Sequence, residues 1–220
     1  MPFHAVLFDL DGTLLDTLED LADATNAALV AMGLPGHPLE AYKYFVGDGL
    51  EALVRRAMRP EGTGAPPDET VLARGIELAR QEYARRWADK TRPYPGIPEL
   101  LDGLAERAVP AAVFSNKPDQ FTRLCVERLL SSWHFAIIQG ATPELPRKPD
   151  PCGALAIAAK LGVAPADILY LGDTNTDMWT AIAAGMYPVG ALWGFRTADE
   201  LRAAGAAVLA SRPADVLALL

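Results

Sequence analysis

The stretch "VLFDLDGTLLD", residues 6–16, begins as an apolar run typical of a buried β-strand and then brings in the carboxylates of Asp9 and Asp11. Burying an ionised carboxylate costs several kcal/mol unless the group is paired, hydrogen-bonded or bound to a metal. Two acids so close together at the end of an apolar strand therefore predict a cation beside them.

Further apolar runs follow along the chain, and amphipathic helical stretches separate them. The predicted strands are residues 4–12, 109–116, 166–173 and 187–194, and the predicted helices are residues 98–108, 118–130, 151–162 and 176–185. Apolar runs without polar alternation are typical of strands that are buried on both faces. Their alternation with helices predicts an α/β fold, a doubly wound and mostly parallel sheet with helices on both faces.

Residues 16–91 interrupt this alternation with helical periodicity alone. Within residues 70–89, apolar side chains recur at spacings of three and four, namely at Leu72, Ile76, Ala79, Tyr83 and Trp87. That spacing places them on one face of a helix that packs against a partner. We therefore predict two domains, an α/β core of residues 1–15 and 92–220 and a small all-helical domain of residues 16–91 inserted into it.

The charge of the chain limits its partners. The formal net charge is −8, whereas a surface that binds nucleic acid calls for a basic stripe. Acidic residues recur through the first thirty positions, unlike the apolar core of a signal peptide, and no apolar run approaches the length of a membrane span. We therefore expect a cytoplasmic protein that binds neither nucleic acid nor membrane, and both monomer and homodimer stay open.

Polar side chains follow three of the predicted strands. Asp9 and Asp11 lie in the last part of the first, Ser115 and Asn116 end the second, and Asp173 ends the third. In an open parallel sheet the carboxyl ends of the strands share one edge, and ligands bind in the crevice outside it. We therefore expect these side chains to form one site.

Two more residues belong to this prediction. Asp177 lies four residues after Asp173, and Lys148 lies in the loop "PRKPDP", residues 146–151. Several acids at one edge repel one another unless a cation lies among them, and Mg²⁺ fits best because it takes one or two carboxylates together with waters and phosphate oxygens. Lys148 and Ser115 would bind the other oxygens of a phosphoryl group.

Together, these motifs resemble those of the haloacid dehalogenase superfamily of phosphohydrolases. In chain order they are Asp9-Leu10-Asp11-Gly12-Thr13, Ser115-Asn116, Lys148, and Gly172-Asp173 through Asp177. The resemblance implies that Asp9 is the nucleophile and becomes an aspartyl phosphate. It implies that Asp11 protonates the leaving alcohol and later activates water, and that Ser115, Asn116 and Lys148 bind the substrate.

The same resemblance implies a metal site and its supports. Mg²⁺ would be held by Asp9, by the backbone carbonyl of Asp11 and by Asp173. Asp177 would position a ligand or the catalytic lysine, and Thr13 would brace the loop after the nucleophile.

The helical insert begins directly after the first motif, which is the position of the family's type 1 cap, a lid that closes over the site. In "YFVGDGLEAL", residues 44–53, the turn Gly47-Asp48-Gly49 precedes a helix, where backbone N–H groups can meet the leaving group. The alternative is a structural turn with Asp48 as the helix N-cap. This turn and the overall order of motifs resemble phosphoglycolate phosphatases.

We therefore expect a Mg²⁺-dependent phosphomonoester hydrolase that acts on a small phosphorylated metabolite, with 2-phosphoglycolate as the first candidate. A pyrophosphatase, a sugar-phosphate or nucleotide phosphatase and a phosphomutase stay open within the superfamily. A regulatory module that only binds phosphate or metal is the non-enzymatic alternative, and the presence of the nucleophile, the acid and the lysine argues against it.

Overall fold

The computed structural model describes residues 3–59 and 67–220, so residues 1–2 and 60–66 of the two predicted domains lie outside the described residues. The strands are β1 (Ala5–Phe8), β2 (Leu15–Asp16), β3 (Arg92–Pro93), β4 (Ala111–Pro118), β5 (Phe135–Ala141), β6 (Ile168–Gly172), β7 (Tyr187–Ala191) and β8 (Val208–Ala210). The helices are α1 (Leu18–Ala31), α2 (Leu39–Phe45), α3 (Leu50–Ala57), α4 (Glu69–Arg86), α5 (Ile97–Glu106), α6 (Asp119–Leu129), α7 (Cys152–Leu161), α8 (Asn175–Ala183), α9 (Ala198–Ala203) and α10 (Ala214–Leu217). None of these helices is both long enough and apolar enough to cross a membrane.

The chain divides into two compact units. One unit comprises Met1–Asp16 and Pro93–Leu220, and the other comprises Thr17–Arg92. The first contains a six-stranded sheet, and the second contains α1 to α4. The short strands β2 and β3 pair with each other where the chain passes from one unit to the other.

The six-stranded sheet of the first unit is parallel throughout, with the order β5-β4-β1-β6-β7-β8. The predicted α/β fold with a doubly wound sheet is thereby confirmed. From β1 the strand order runs through β4 and β5 on one side and through β6, β7 and β8 on the other. The sheet therefore has its topological switch point at β1, where the carboxyl ends of β4, β1 and β6 lie side by side.

Strand β1 shows why the sequence folds in this way. All four of its residues are fully buried, as an apolar strand must be when helices cover both faces of the sheet. The strand ends at Phe8, earlier than predicted, although the N–H of Asp9 still donates to the carbonyl of Leu171 on β6 at 2.9 Å. Asp9 is therefore the first residue beyond the strand and is held by the neighbouring one.

Helix α4 is the longest element of the helical unit. Its N-cap is Asp68, whose Oδ1 accepts from the backbone N–H groups of Thr70 and Val71 at 2.9 and 3.1 Å. The predicted apolar face is present, since Leu72, Ala79 and Tyr83 are buried and Ile76 and Trp87 are half-buried. Helix α4 packs mainly against α1 and also against α3, so it contributes to the core of the unit through both neighbours.

Candidate active site

The nucleophile predicted from the sequence, Asp9, lies beside a buried lysine. The Nζ of Lys148 is 2.8 Å from Oδ1 of Asp9 and 2.7 Å from Oδ1 of Asp177. Both carboxylates and the ammonium group are almost completely buried. Lys148 is aligned for a hydrogen bond with Asp177 and forms an ion pair with Oδ1 of Asp9. The nucleophile and Asp177 therefore share one ammonium group.

Asp177 is held on every side at the start of α8. Its Oδ2 accepts from the backbone N–H and the hydroxyl of Thr174, at 3.0 and 2.6 Å, in a capping box. Its Oδ1 accepts from Lys148 and, at 3.4 Å, from the hydroxyl of Tyr170. A carboxylate with this many donors is fixed in orientation, so Asp177 in turn fixes the lysine.

Asp173 follows β6 directly and is tied to two other loops. Its Oδ1 accepts from the hydroxyl of Thr13 at 3.0 Å, and its Oδ2 accepts from the backbone N–H of Phe195 at 2.8 Å. The indole N–H of Trp193 donates to the backbone carbonyl of Thr13 at 2.9 Å. Thr13 therefore connects the first motif to Asp173 of the last motif. Trp193 and Phe195 bind to Thr13 and to Asp173, respectively, from a third loop.

Two glycines allow these loops to approach so closely. A Cβ atom at Gly12 or at Gly194 would overlap the side chain of Asp173. Gly12 also has φ at 85°, in the left-handed region that residues with a Cβ rarely adopt. The glycine of the first motif is therefore required both by its backbone conformation and by the carboxylate packed against it.

The residues at the end of β4 position the lysine loop. The side-chain amide of Asn116 donates from Nδ2 to the backbone carbonyl of Lys148 at 3.1 Å and accepts from its N–H at 2.8 Å. Ser115 is buried, and its Oγ accepts from the backbone N–H of Lys117 at 3.2 Å. The structure thus places the predicted substrate-binding pair at this edge, and the Asn116 amide orients the backbone that carries Lys148.

Asp11 has a partner that the sequence reasoning missed. The Nζ of Lys117 lies 2.9 and 3.0 Å from the two carboxylate oxygens of Asp11. The side chain of Lys117 is 3% exposed and that of Asp11 is 13% exposed. A signal was available, because Lys117 follows Ser115 and Asn116 at the carboxyl end of the same buried strand.

The predicted turn Gly47-Asp48-Gly49 lies in the helical unit, between α2 and α3. Both glycines have positive φ, 125° and 90°. The carboxylate of Asp48 forms an ion pair with Arg56, whose Nη1 also donates to the carbonyl of Phe45 at 2.9 Å. The N-cap of α3 is Gly49 and not Asp48. The alternative of Asp48 as an N-cap is therefore wrong, and the carboxylate of Asp48 instead pairs with a cation in the last turn of α3.

Burial and mutual repulsion alter the acidity of these groups. Burial, and then the charge of Asp177, raise the pKa of Asp9 to about 7. The same causes, together with the charge of Asp9, raise the pKa of Asp173 well above its ordinary value. Burial alone would lower the pKa of Lys148, but the carboxylates of Asp177 and Asp9 outweigh it and raise that pKa well above its usual range. The site holds more negative charge than its lysine compensates.

The three acids fit a bound cation. One carboxylate oxygen from each of Asp9, Asp173 and Asp177 lies within 4.8 Å of the others. Lys148 supplies one positive charge among three carboxylates, and it contacts two of them. Hard divalent cations take such oxygen donors, and their charge would reverse the rise in the pKa of these acids. The residues present therefore suit a divalent metal.

The chain is similar in sequence to known proteins over most of its length. A family model described as haloacid dehalogenase-like hydrolase matches residues 6–191. A phosphoglycolate phosphatase of Chromobacterium violaceum is 35% identical over 199 residues, which cover 90% of this chain and 89% of that protein. A phosphoglycolate phosphatase of Pseudomonas putida is 35% identical over 190 residues, which cover 86% of this chain and 70% of that protein.

A solved structure extends the similarity to the whole chain. The crystal structure of a protein from Lactobacillus delbrueckii subsp. bulgaricus, provisionally described as a phosphoglycolate phosphatase, superimposes with a TM-score of 0.92 at 32% identity. The superposition covers 100% of this chain and 99% of that one. The sheet and the helical insert therefore recur together in that relative.

Proposed function

Because the chain belongs to the haloacid dehalogenase-like hydrolase family, as its motifs predict, we propose that it is a Mg²⁺-dependent phosphomonoester hydrolase. Its substrate would be a small phosphorylated metabolite. The names of the Chromobacterium violaceum and Pseudomonas putida relatives support 2-phosphoglycolate as the first substrate to test. The proposed domains are the predicted ones, a catalytic core of residues 1–15 and 92–220 and a helical cap of residues 16–91.

One observation carries this proposal. Asp9 lies buried at the carboxyl end of the central strand, 2.8 Å from the Lys148 ammonium and in a cluster with Asp173 and Asp177. A nucleophilic carboxylate needs a cation to offset its charge and that of the incoming phosphoryl group. A purely structural role would not explain three clustered buried acids, only two of which pair with a lysine, at the edge of the sheet where ligands bind.

In the first step, the carboxylate of Asp9 attacks phosphorus. A new bond forms between an Asp9 oxygen and phosphorus, and the bond from phosphorus to the ester oxygen breaks. Asp11 gives its proton to the departing oxygen, so that an alcohol leaves. Lys148 and the Ser115 hydroxyl bind the non-bridging oxygens and offset the charge that develops on them.

In the second step, water removes the phosphoryl group from Asp9. Asp11, now a carboxylate, takes a proton from the water as its oxygen bonds to phosphorus. The bond between Asp9 and phosphorus breaks, which releases inorganic phosphate and regenerates the free carboxylate. One residue can serve as acid and then as base because each step returns it to the state that the other step requires.

The metal would be held by Asp9, Asp173 and the backbone carbonyl of Asp11. When bound, Mg²⁺ offsets the negative charge of the carboxylates and of the phosphoryl oxygens. Asp177 contributes by fixing the Lys148 side chain, to which it is hydrogen bonded.

The turn Gly47-Asp48-Gly49 is the proposed contact for the leaving group. Positive φ at both glycines produces a conformation that side chains with a Cβ disfavour, and the turn directly precedes the N-terminus of α3, where backbone N–H groups suit an anion or a hydroxyl. The specificity of the enzyme for its alcohol would then depend on the helical unit and not on the phosphoryl-binding core.

Phosphate release tests the proposal directly. Wild-type protein and Asp9→Asn are assayed with Mg²⁺ and with EDTA against 2-phosphoglycolate, pyrophosphate, several sugar phosphates and nucleotides. We expect turnover that needs both Mg²⁺ and Asp9, with 2-phosphoglycolate at least about tenfold ahead in kcat/KM, which corresponds to about 1.4 kcal/mol.

Other outcomes of the panel point elsewhere. A different preferred ester keeps the chemistry and replaces the substrate, and a sugar phosphate that isomerises without releasing phosphate indicates a phosphomutase. A melting-temperature rise with Mg²⁺ and no turnover of any ester would leave only a binding module.

A further inference from the structure

The core contains a second buried lysine that the proposed mechanism leaves without a role. Among the described residues, Lys117 and Lys148 are the buried cations of the chain. Lys148 pairs with Asp9 and Asp177, whereas Lys117 pairs with Asp11. Each lysine therefore serves a different carboxylate of the first motif, although those two acids lie only two positions apart.

The two carboxylates of the first motif are held in different surroundings. An oxygen of Asp9 belongs to the cluster that suits a divalent cation, together with Asp173 and Asp177. The carboxylate of Asp11 is absent from that cluster among the described residues, and both of its oxygens lie within 3.0 Å of the Lys117 ammonium. An ammonium group that contacts both oxygens fixes the direction of a carboxylate more strongly than a single contact does.

The backbone of Lys117 is fixed on both sides. Its N–H donates to the Oγ of Ser115 at 3.2 Å, and its carbonyl accepts from the hydroxyl of Thr122 on α6 at 3.1 Å. The side chain therefore extends from a rigid point at the end of β4 to the loop after β1. Because the backbone of Lys117 is held in place, its ammonium group lies at a restricted position beside the carboxylate of Asp11.

Without the ammonium group of Lys117, Asp11 would have a competing attraction. A divalent cation beside Asp9 and Asp173 attracts any free carboxylate within reach, and Asp11 is joined to Asp9 by one intervening residue. A carboxylate that coordinates a metal ion is not available as a general acid or base. The Lys117 pair offers Asp11 a positive partner away from the cluster.

We propose that Lys117 is a positioning residue that holds the Asp11 carboxylate outside the metal-binding cluster, in place to exchange a proton with the leaving group and with water. This inference rests on the proposed function, in which Asp11 is the acid and base. Lys117 acts through Asp11 and makes no contact of its own with the substrate.

The leaving group provides the test. An alkyl phosphate releases a strongly basic alkoxide that needs a proton, whereas p-nitrophenyl phosphate releases a stable phenolate that does not. The kcat/KM value reports the steps through phosphoryl transfer to Asp9, so hydrolysis of the intermediate does not obscure the comparison. Loss of general acid catalysis costs about 10²- to 10⁴-fold, and we expect a mispositioned acid to cost part of that.

The experiment compares Lys117→Met, Asp11→Asn and the double variant with wild type on both esters. We expect Lys117→Met to lower kcat/KM at least about tenfold on the best alkyl phosphate and less than about threefold on p-nitrophenyl phosphate. In the double variant, Lys117→Met should add no further loss to that of Asp11→Asn, because it acts through Asp11. Lys117→Arg should recover part of the alkyl activity.

Two results overturn the inference. Equal losses on the two esters, or losses that add in the double variant, would show that Lys117 serves the substrate or the fold directly.

Lys90→Met is the matched control, since it removes an exposed lysine 2.8 Å from the carboxylate of Asp23. It should leave kcat/KM unchanged for both esters. Lys117→Met/Asp11→Asn removes both charges of the pair and leaves neither one uncompensated. If Lys117→Met folds poorly, the comparison of this double variant with Asp11→Asn still tests the inference.

A readout without turnover separates this inference from the proposed function. If Asp11 joins the cluster in Lys117→Met, Mg²⁺ should raise the melting temperature of that variant more than that of wild type, and Lys117→Met/Asp11→Asn should lose the extra rise. An unchanged shift in Lys117→Met contradicts the positioning role even if wild type hydrolyses no ester. Absence of turnover in wild type would instead reject the proposed function.

Discussion

The ammonium group of Lys148 donates a 2.7 Å hydrogen bond to the carboxylate of Asp177, and both side chains are fully buried. Burying such a pair is expensive for each ion, and removing one partner typically costs about 3–5 kcal/mol, because the other charge is left without compensation. The pair stabilises the fold only while both members are present, and a second acid, Asp9, depends on the same lysine.

We therefore expect Lys148→Met to destabilise the metal-free protein strongly. The substitution leaves the buried carboxylates of Asp9 and Asp177 without their cation, and we expect a loss of about 3–5 kcal/mol in the free energy of unfolding, measured with urea at neutral pH in EDTA. Lys90→Met, which removes an exposed pair, should cost no more than about 1 kcal/mol. Similar losses in the two variants would show that the buried acids do not depend on Lys148.

Metal binding should appear in the stability of the protein. We expect Mg²⁺ to raise the free energy of unfolding of wild type, by about 2.7 kcal/mol at a hundred times its dissociation constant. Asp173→Asn should lose most of that rise, because the amide carries no charge for the cation. Asp199→Asn is the control, since the Asp199 side chain is 96% exposed. An equal rise in all three proteins would place the ion elsewhere.

The site was predictable because its residues follow buried strands. Asp9 and Asp173 come directly after β1 and β6, neighbours in a parallel sheet, so strand recognition alone brought them to one edge. Two of the contacts that support them were not predictable. Phe195 holds Asp173 through its backbone N–H and Asn116 holds Lys148 through its amide, and such contacts between loops distant in sequence leave no periodic signal.

The sequence did not reveal the two outer strands of the sheet. Strands β5 (Phe135–Ala141) and β8 (Val208–Ala210) were not predicted, and they are the two outer strands of the sheet. Each has one neighbouring strand, and β5 has two buried residues, four partly buried ones and one exposed one. Both strands lie in short apolar runs, residues 135–138 and residues 206–210. Periodicity alone cannot tell a short apolar run from a segment of a buried helix, so neither run was recognised as a strand.

Stability should depend on pH through Asp9. Burial and the charge of Asp177 raise the pKa of Asp9 to about 7, from an ordinary value of 3.8. Between those values the folded state binds more protons than the unfolded state, so the free energy of unfolding falls as pH rises from about 4 to 7. We expect a loss on the order of a few kcal/mol for the metal-free protein, since each pKa unit corresponds to about 1.4 kcal/mol.

Urea unfolding in EDTA at several pH values, with wild type beside Asp9→Asn, isolates this contribution. The variant has no carboxyl group to titrate at that position and should show a shallower decline. Mg²⁺ favours the ionised carboxylates and should flatten the wild-type decline as well. Parallel pH profiles for the two proteins would mean that Asp9 does not titrate in this range.

The ion pair between Asp48 and Arg56 in the helical unit allows a test of the proposed leaving-group contact. Asp48→Ala and Arg56→Met break the same pair, but only the first removes a residue of the turn Gly47-Asp48-Gly49. If the turn recognises the alcohol, Asp48→Ala should change kcat/KM unequally across the ester panel, by about tenfold between substrates. Arg56→Met should change all substrates by a similar factor. If both variants change kcat/KM by a similar factor for all esters, the turn has a structural role only. The two glycines would then serve only the backbone conformation before α3.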